Sequence, residues 1–529
     1  MSAEFRELRP AMSLLRSFAT VSGFTAASRV LGFLRDILIA NYLGSGPIAD
    51  AFFVAFRFPN LFRRLFAEGA FSAAFVPVFA KRLEEEGREA ARKLGEEVQA
   101  VLALGVFAFT ALAIVFMPWL MPLIAPGFRD DPEQMQRAVE LAQICFPYLF
   151  FMSLTAMLSG VLNSLYHFAA GAAAPVALNV CFIVSLLLIV PASEEPGEVL
   201  AWTVTVAGVV QVAIVVIACR YMGMSLRPSL PRLSPGVRRI FKLMGPGVLS
   251  AGVLQINILV GTMIASLQAG AVSWLYYADR VYQLPLGLIG IAIGVVLLPD
   301  LTRKLRGGDS EQALHSLNRG VEMALLLTLP ATAALLVIPV PIAEVLFERG
   351  AFTAADSQAT AQALFAFALG LPAYVLVKVL QPAFYARENT VTPFHFAAIA
   401  VAANVVLSLA LFYWIGFVGI ALATAAAAWL QTLLLAVRLL RDGSARPDGA
   451  LLRRLPRSLL ASAVMAALLW GLTQWLAPWF AAGEGPALLA LAILVGAGLA
   501  VFGLSALLFR AITLGEVRAL LRRRRKPSA

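Results

Sequence analysis

Arginine placement is the feature of this sequence that points most directly to chemistry. Arg29, Arg57 and Arg280 each interrupt a long apolar run. A charge inside a membrane span costs at least about 2.5–3.5 kcal/mol on insertion scales, so such residues usually face a cavity and serve function. The planar guanidinium also binds phosphate oxygens in pairs, which lysine does poorly. These residues in this setting predict a polyanion site within a membrane.

The three arginines are expected at similar depths in the membrane. A helix rises about 1.5 Å per residue, which places Arg29 roughly 22 Å from the inner start of its span. The same rise places Arg57 and Arg280 roughly 15 Å from the outer starts of theirs. In a hydrocarbon core about 30 Å thick, all three fall near the middle. We therefore predict one cationic cavity to which both halves of the chain contribute.

Most other ionisable residues in or at the ends of the spans belong to the first two spans. They are Arg35, Asp36, Asp50, Arg63, Arg64 and Glu68, with Asp279 and Lys378 farther along the chain. For Arg35, Arg64 and Lys378 a structural role is as reasonable as a functional one, because long side chains can reach the membrane surface. Asp279 can simply neutralise a nearby arginine. Because Arg64 follows Arg57 by two helical turns and shares its face, helical spacing favours Arg64 over its neighbour as a site residue.

The second span has the features of a gate. It covers about residues 47–82, which is longer than a bilayer requires, and it contains Pro59. Proline removes a backbone donor and bends a helix, so we expect this span to be bent and mobile. Asp50 lies at its mouth, and Glu68 can pair with one of the two arginines that precede it.

The composition requires a membrane to surround these residues. Apolar residues make up 60% of the 529, charged residues 14%, and the mean hydropathy is +0.82. A soluble domain has about 45–50% apolar and about 25% charged residues, and disordered chains are poorer still in apolar residues. The net charge of +11 would suggest nucleic acid in a soluble protein, but in a membrane protein it reports topology. We predict a multi-pass membrane protein with no nucleic-acid partner.

The apolar runs predict an all-α fold of about fourteen transmembrane helices, since each span needs about 20 residues. They cover approximately 14–41, 47–82, 97–123, 138–165, 172–190, 199–219, 243–269, 271–300, 320–346, 357–386, 391–414, 417–437, 457–477 and 486–509. Lys and Arg are concentrated in every second connection, whereas the intervening connections hold only Arg129, Arg137 and Arg349. The positive-inside rule then predicts that both termini are cytoplasmic.

Two sequence echoes indicate an internal repeat. Pro59 and Pro285 follow similar aromatic stretches, and Pro147 and Pro372 lie in similar settings at nearly the same separation. Six spans return the chain to the same side, so the repeat predicts two pseudo-symmetric six-helix lobes in parallel orientation. We place the first lobe at 1–220, the second at 221–441, and two additional C-terminal helices with a basic tail at 442–529. Transporters with such repeats bind substrate between the lobes.

Motifs for enzyme chemistry are absent from the sequence. No Gly-Lys pair occurs, so there is no phosphate-binding P-loop for ATP. There is neither a G-x-S-x-G elbow nor an H-E-x-x-H pair. Cys145, Cys181 and Cys219 fall in different spans at no metal-like spacing. We predict a transporter that is not an enzyme and that needs no cofactor.

Five segments resemble the MurJ (MviN) family: 28–36, 50–56, 59–71, 273–280 and 377–380. The resemblance extends over about twelve spans, and its most specific motifs lie in the first two. It implies a lipid II flippase of the multidrug/oligosaccharidyl-lipid/polysaccharide exporter superfamily, with two six-helix lobes, two C-terminal helices and a cationic cavity. It marks Arg29, Arg35, Arg63 and Arg280 as the substrate-binding residues, and so points to Arg63 where helical spacing favours Arg64. We assign supporting or gating roles to Asp36, Asp50, Arg57, Asn60, Arg64, Glu68, Asp279 and Lys378.

This sequence departs from the family pattern at the sodium site. Some members bind sodium through acidic residues of the seventh, eleventh and twelfth spans. Here the seventh span offers Asn257 but no carboxylate, and Asn404 is the clearest polar residue of the eleventh. The identity of any bound metal therefore stays open, and coupling to Na+, to H+ or to the membrane potential remains open with it.

These observations lead to one functional expectation. The chain should flip lipid II, the undecaprenyl-pyrophosphate-linked precursor of peptidoglycan, from the inner to the outer leaflet of the bacterial cytoplasmic membrane. Alternating access through the arginine-lined cavity would carry the headgroup. We expect a monomer that contacts lipid II, the bilayer and other cell-wall synthesis proteins. Two alternatives stay open: an ion-coupled multidrug exporter, whose cavity should be acidic and aromatic, and a flippase for another undecaprenyl-linked saccharide.

Overall fold

Apolar runs bounded by glycine and proline fold into long α-helices. The computed structural model describes residues 3–62, 71–516 and 518, with the side chains of all of these except 3–19, 246–251, 253–254, 291–292 and 294–295. In this part of the chain the helices are α1 (Ala3–Leu43), α2 (Pro47–Phe62), α3 (Ser72–Ile124), α4 (Pro132–Cys145), α5 (Tyr148–Ser164), α6 (Ala169–Leu188), α7 (Pro196–Tyr221), α8 (Pro235–Ala265), α9 (Ala271–Arg306), α10 (Ser310–Val337), α11 (Pro339–Phe347), α12 (Ala354–Tyr385), α13 (Val391–Ile415), α14 (Phe417–Arg441), α15 (Gly449–Phe480) and α16 (Glu484–Leu508). No strand occurs among the described residues, and the all-α prediction is confirmed.

Two special backbone positions explain where helices break. Gly87 has a φ of 84°, a left-handed value that glycine adopts readily, and it divides α3 into two helical segments. Gly44 has a φ of 63° and ends α1 in a tight turn before Pro47 begins α2. The predicted second span therefore corresponds to α2 and the first segment of α3, joined by residues that the structure does not describe.

The described chain contains ten stretches long and apolar enough to cross a membrane. One of them, 132–164, combines α4 and α5, which are interrupted near Pro147. The chain is therefore a multi-pass membrane protein. The number of fourteen spans and the cytoplasmic position of both termini stay predictions.

The chain divides into two compact units. Unit 1 comprises Met1–Ser273 and Arg349–Phe352, and unit 2 comprises Trp274–Glu348 and Thr353–Ala529. In unit 1, helices α3, α5, α7 and α8 bury a core that includes Phe75, Phe79, Val161, Val215 and Ile240. In unit 2, helices α9, α10, α12 and α14 share one core, and α15 and α16 pack together in another. The lobes at 1–220 and 221–441 are defined by sequence repetition rather than by contacts, and they stay a prediction.

A network of ion pairs in unit 2 joins α10, α15 and the residues that follow α16. Arg319 pairs with Glu322 and with Asp448, at 2.6 Å to the Asp448 carboxylate. Arg454 reaches Glu322 at 2.5 Å and Glu516 at 2.8 Å. Burial alone would raise the pKa of Asp448, but the Leu451 backbone N–H and the Arg319 guanidinium outweigh it and hold that pKa below its usual range. The network thus attaches the C-terminal helices to α10 by charge as well as by packing.

We predict that Glu322→Gln lowers the free energy of unfolding by about 1.5 kcal/mol, because its carboxylate accepts from two guanidiniums and is only 12% exposed. Thermal unfolding of the purified protein in detergent measures the change. Glu85→Gln is the matched control, since Glu85 pairs with Lys81 while both side chains are 60% exposed. Equal stability of the two variants would contradict the prediction.

Candidate functional site

Arg35 and Asp36 form a buried ion pair within α1. The two residues are 8% and 2% exposed. The Arg35 Nη2 and Nε atoms both donate to Asp36 Oδ1, at 2.7 and 3.0 Å. The guanidinium carbon lies 5.3 Å from the centre of the Phe182 ring, within the range of a cation–π contact. Arg35 is therefore held inside the protein in this structure rather than reaching for the membrane surface.

An asparagine of α6 completes this buried cluster. Asn179 Oδ1 accepts from Arg35 Nη1 at 3.1 Å, and Asn179 Nδ2 donates to the Ser28 carbonyl at 2.9 Å. Asn179 is 5% exposed. It did not enter the sequence-based site, although a polar residue in the apolar run of α6 is the kind of signal that marks function in a membrane.

Arg29 takes a different position on the same helix. Six residues separate it from Arg35, which places the two side chains about 120° apart around the helix axis. Its side chain is exposed, whereas that of Arg35 is buried. One predicted substrate-binding arginine of α1 is thus held by protein partners, and the other is accessible.

Arg57 and Asn60 lie one turn apart on α2 but have different partners. Arg57 Nη1 donates to the Thr262 hydroxyl of α8 at 2.7 Å. Asn60 Nδ2 donates to the Phe56 carbonyl at 3.1 Å within its own helix. Pro59, between them, lies inside the helix and cannot donate a backbone hydrogen bond. Arg57 therefore links α2 to α8 next to a proline that weakens α2.

Asp50 is fully buried and accepts three hydrogen bonds from the start of the α9 segment. Its Oδ2 accepts from the Gly270 backbone N–H at 2.7 Å. Its Oδ1 accepts from the Ser273 backbone N–H at 2.9 Å and from the Ser273 hydroxyl at 2.6 Å. A carboxylate is well placed there because the amino terminus of a helix attracts negative charge. These bonds attach the beginning of α2 to the beginning of α9, at the end of the helices that we predict to lie outside.

Two glycines allow a second close contact at the same end of α1. The Ala351 backbone N–H donates to the Asn41 carbonyl at 2.8 Å. A Cβ atom at Gly350 would lie 2.3 Å from that carbonyl oxygen, and one at Gly44 would lie 2.4 Å from the Ala351 carbonyl oxygen. Both glycines also have positive φ values. The segment 349–352 therefore packs directly on the backbone at the end of α1.

Asp279, Arg280 and Lys378 belong to unit 2. The Arg280 guanidinium carbon lies 4.6 Å from the centre of the Tyr276 ring. Asp279 accepts a hydrogen bond from Gln283, one turn later on α9. Lys378 is exposed, and its Cδ would lie 2.8 Å from a Cβ at Gly290, so glycine lets the lysine stem pass close to α9.

The structure brings some of the predicted site residues together, and for others the prediction stays untested. It unites Arg35 with Asp36 and connects Arg57 with α8. Arg63, Arg64 and Glu68 lie outside the described residues, so the preference between the two arginines stays a prediction. The convergence of arginines from both halves of the chain on one cavity also stays a prediction. No group of three or more His, Cys, Asp or Glu residues arranged to hold a metal occurs in the described part of the chain.

Similarity to solved structures defines the class of protein. A MATE multidrug resistance transporter of the MOP superfamily, solved in an inward-facing conformation, matches with a TM-score of 0.64 over 78% of this chain and 95% of that one. At 15% identity, this match shows the fold alone. A structure described as lipid II flippase MurJ in an inward closed conformation matches at 25% identity, with a TM-score of 0.74 over 93% of this chain and 98% of that one. The chain is thus a multi-pass membrane protein with the fold of that transporter superfamily.

Sequence comparison defines the family. The sequence profile of the family described as Lipid II flippase MurJ matches residues 39–490. A probable lipid II flippase MurJ of Rhizobium tropici is 46% identical over 98% of both chains. A probable lipid II flippase MurJ of Rhizobium meliloti is 49% identical over 88% of each chain. The chain belongs to the MurJ family of lipid II flippases.

We predict that Asp50→Asn opens the contact between α2 and α9, because an amide cannot accept all three hydrogen bonds. Loss of hydrogen bonds to a buried charge, worth about 1.5–3 kcal/mol, should raise the open fraction roughly 10- to 100-fold. Ser45 is 8% exposed and lies in the turn between α1 and α2. The measurement is the labelling rate of Ser45→Cys by a membrane-impermeant maleimide in a background without Cys145, Cys181 and Cys219.

The control for this labelling is Asp130→Asn, because Asp130 is an exposed carboxylate in the connection after α3. It should leave the rate unchanged. A labelling rate in Asp50→Asn equal to that of the control would refute the closing role of Asp50.

Proposed function

We propose that this protein moves lipid II from the inner to the outer leaflet by binding its pyrophosphate with arginines inside the membrane. Family membership supports the flippase activity. The observation that carries the binding mechanism is the contrast on α1 between Arg35, held by Asp36, and the exposed Arg29. The exposed guanidinium of Arg29 offers donors for a diphosphate that hydrocarbon cannot solvate.

In this mechanism, the arginines bind the headgroup while the undecaprenyl tail remains in the lipid. Arg29, Arg35, Arg63 and Arg280 bind the diphosphate in our proposal. The headgroup then crosses as the protein alternates between inward-open and outward-open states. Attraction between guanidinium and phosphate is strong in a site of low dielectric, so binding can offset the loss of headgroup hydration.

The gate of this cycle involves Asp50 and the segment 349–352. Asp50 connects the start of α2 to the start of α9, and the segment 349–352 packs on the end of α1. In our proposal, both contacts break before a headgroup leaves on the outer side of the membrane. Pro59 weakens α2 and lets it bend, whereas the Arg57 hydrogen bond to Thr262 of α8 must break or shift when α2 moves. Asp36, Asn60, Arg64, Glu68, Asp279 and Lys378 support these movements or the charge of the cavity.

The driving force in our proposal is an ion gradient or the membrane potential. The sequence has no P-loop, so no motif points to ATP hydrolysis as the energy source. Both Na+ and H+ remain candidates for the coupling ion. We further propose that the protein acts as a monomer in the cytoplasmic membrane, with both termini in the cytoplasm, and that it meets other cell-wall synthesis proteins there.

The multidrug exporter is the less favoured function. Relatives at 46% and 49% identity carry the name of a lipid II flippase, whereas the likeness to a multidrug transporter is a likeness of fold at 15% identity. The cavity of a multidrug exporter should attract cations through acidic and aromatic groups, whereas a buried arginine repels them.

We expect Arg29→Ala and Arg280→Ala each to weaken lipid II binding by about 10- to 100-fold, which corresponds to about 1.5–3 kcal/mol for a charge-assisted contact. Binding to purified protein and translocation in proteoliposomes are the two measurements. An undecaprenyl pyrophosphate without the muropeptide and another undecaprenyl-linked glycan serve as comparison ligands.

Arg129→Ala is the matched control, because Arg129 is an exposed arginine in a connection between spans. It should bind and translocate lipid II as the unaltered protein does. Full translocation by correctly inserted Arg29→Ala and Arg280→Ala variants would eliminate the cationic-site mechanism.

A further inference from the structure

Asn179 is the buried polar residue that connects the two arginine positions of α1 to α6. Its amide oxygen accepts from Arg35, and its amide nitrogen donates to the carbonyl of Ser28, the residue before Arg29. The Ser28 hydroxyl lies 3.3 Å from the same nitrogen. One side chain thus contacts both a predicted substrate-binding arginine and the backbone next to another.

The amide of Asn179 lies beside Gly32 of α1. Gly32 lies between the two arginines, and a Cβ at that position would be 3.5 Å from Asn179 Nδ2 and 3.7 Å from Asn179 Oδ1. Those are ordinary contact distances, so a methyl group at position 32 would fit beside the amide without displacing it. The hydrogen bonds, rather than the glycine, restrain the rotation and the height of α1 against α6.

The chemistry of the amide suits a neutral positioning role. An amide supplies one acceptor and one donor group without adding charge. In a site of low dielectric, a second carboxylate near Arg35 would compete with phosphate for the guanidinium, whereas an amide orients it and leaves its positive charge intact. The Asp36 carboxylate holds one edge of the Arg35 guanidinium, and Asn179 holds another nitrogen.

We propose that Asn179 is a positioning residue of the lipid II site. It orients the Arg35 guanidinium and sets the register of α1 so that Arg29 is presented to the diphosphate. This inference rests on the proposed function, since it assigns Asn179 a task in the same site. Asn179 does not itself need to touch the substrate, because it acts through Arg35 and the α1 backbone.

Two substitutions separate positioning from packing. Asn179→Leu keeps a similar volume and removes the hydrogen bonds to Arg35 and Ser28. Asn179→Asp keeps an acceptor for Arg35 but adds a competing negative charge and loses the donor to Ser28. We expect both variants to weaken lipid II binding at least tenfold, with Asn179→Asp retaining the thermal stability of the unaltered protein within a few degrees.

Gly32→Ala is the matched control at the same helix contact, because a methyl group there makes ordinary contacts and changes no polar group. It should bind lipid II as the unaltered protein does. A positioning role also predicts non-additivity, since Asn179 acts largely through Arg35. In an Arg35→Ala background, Asn179→Leu should weaken binding by a smaller factor than in the unaltered protein, because only the contacts with Ser28 remain to be lost.

The outcomes distinguish the two proposals. If Arg29→Ala loses binding while both Asn179 variants bind normally, the positioning role is overturned and the lipid II site stands. If Asn179→Leu reduces only the yield of folded protein, with normal affinity in the folded fraction, Asn179 is merely structural and the inference fails. If Arg29→Ala and Arg280→Ala bind and translocate normally, the proposed binding mechanism fails, and the role of Asn179 that rests on it fails as well. Reduced affinity of both Asn179 variants, with a smaller effect of Asn179→Leu in the Arg35→Ala background, supports the inference, whereas an equal effect in that background overturns it.

Discussion

The cost of placing a charge in hydrocarbon is the constraint on which this structure depends. A guanidinium in a membrane span must find oxygen atoms within the protein, in a water-filled space or on a ligand. Arg35 finds them in Asp36 and Asn179. These contacts connect α1 to α6, and Arg29 lies on the same helix six residues before Arg35.

The same constraint operates at the beginning of α2 with the opposite sign. Asp50 is fully buried, and its carboxylate is stabilised by backbone and hydroxyl donors from Gly270 and Ser273. Such contacts are directional and depend on distances of 2.6–2.9 Å, so a modest movement of α2 can break them together. Polar contacts of this kind suit a gate better than a broad apolar interface does, because packed cores resist gradual deformation.

Much of the fold could be predicted from local patterns. Apolar runs of the right length predict helices because a membrane leaves no other partner for the backbone. Glycine and proline mark the breaks, as the turn at Gly44 and the interruption near Pro147 illustrate. The candidate residues Arg35, Asp36 and Asp50 could also be selected in advance, since an ionisable group in an apolar run is conspicuous at the level of the sequence.

Partners distant in sequence could not be predicted in the same way. Arg35 and Asn179 are separated by 144 positions, and Asp50 and Ser273 by 223. Residue types and spacing thus indicate which helices carry charges into the membrane. They also indicate the family, which is that of lipid II flippases. Which arginine is held and which is exposed depends on the rotation of one helix against another. That rotation results from side-chain packing and hydrogen bonds between remote segments, which no local pattern encodes.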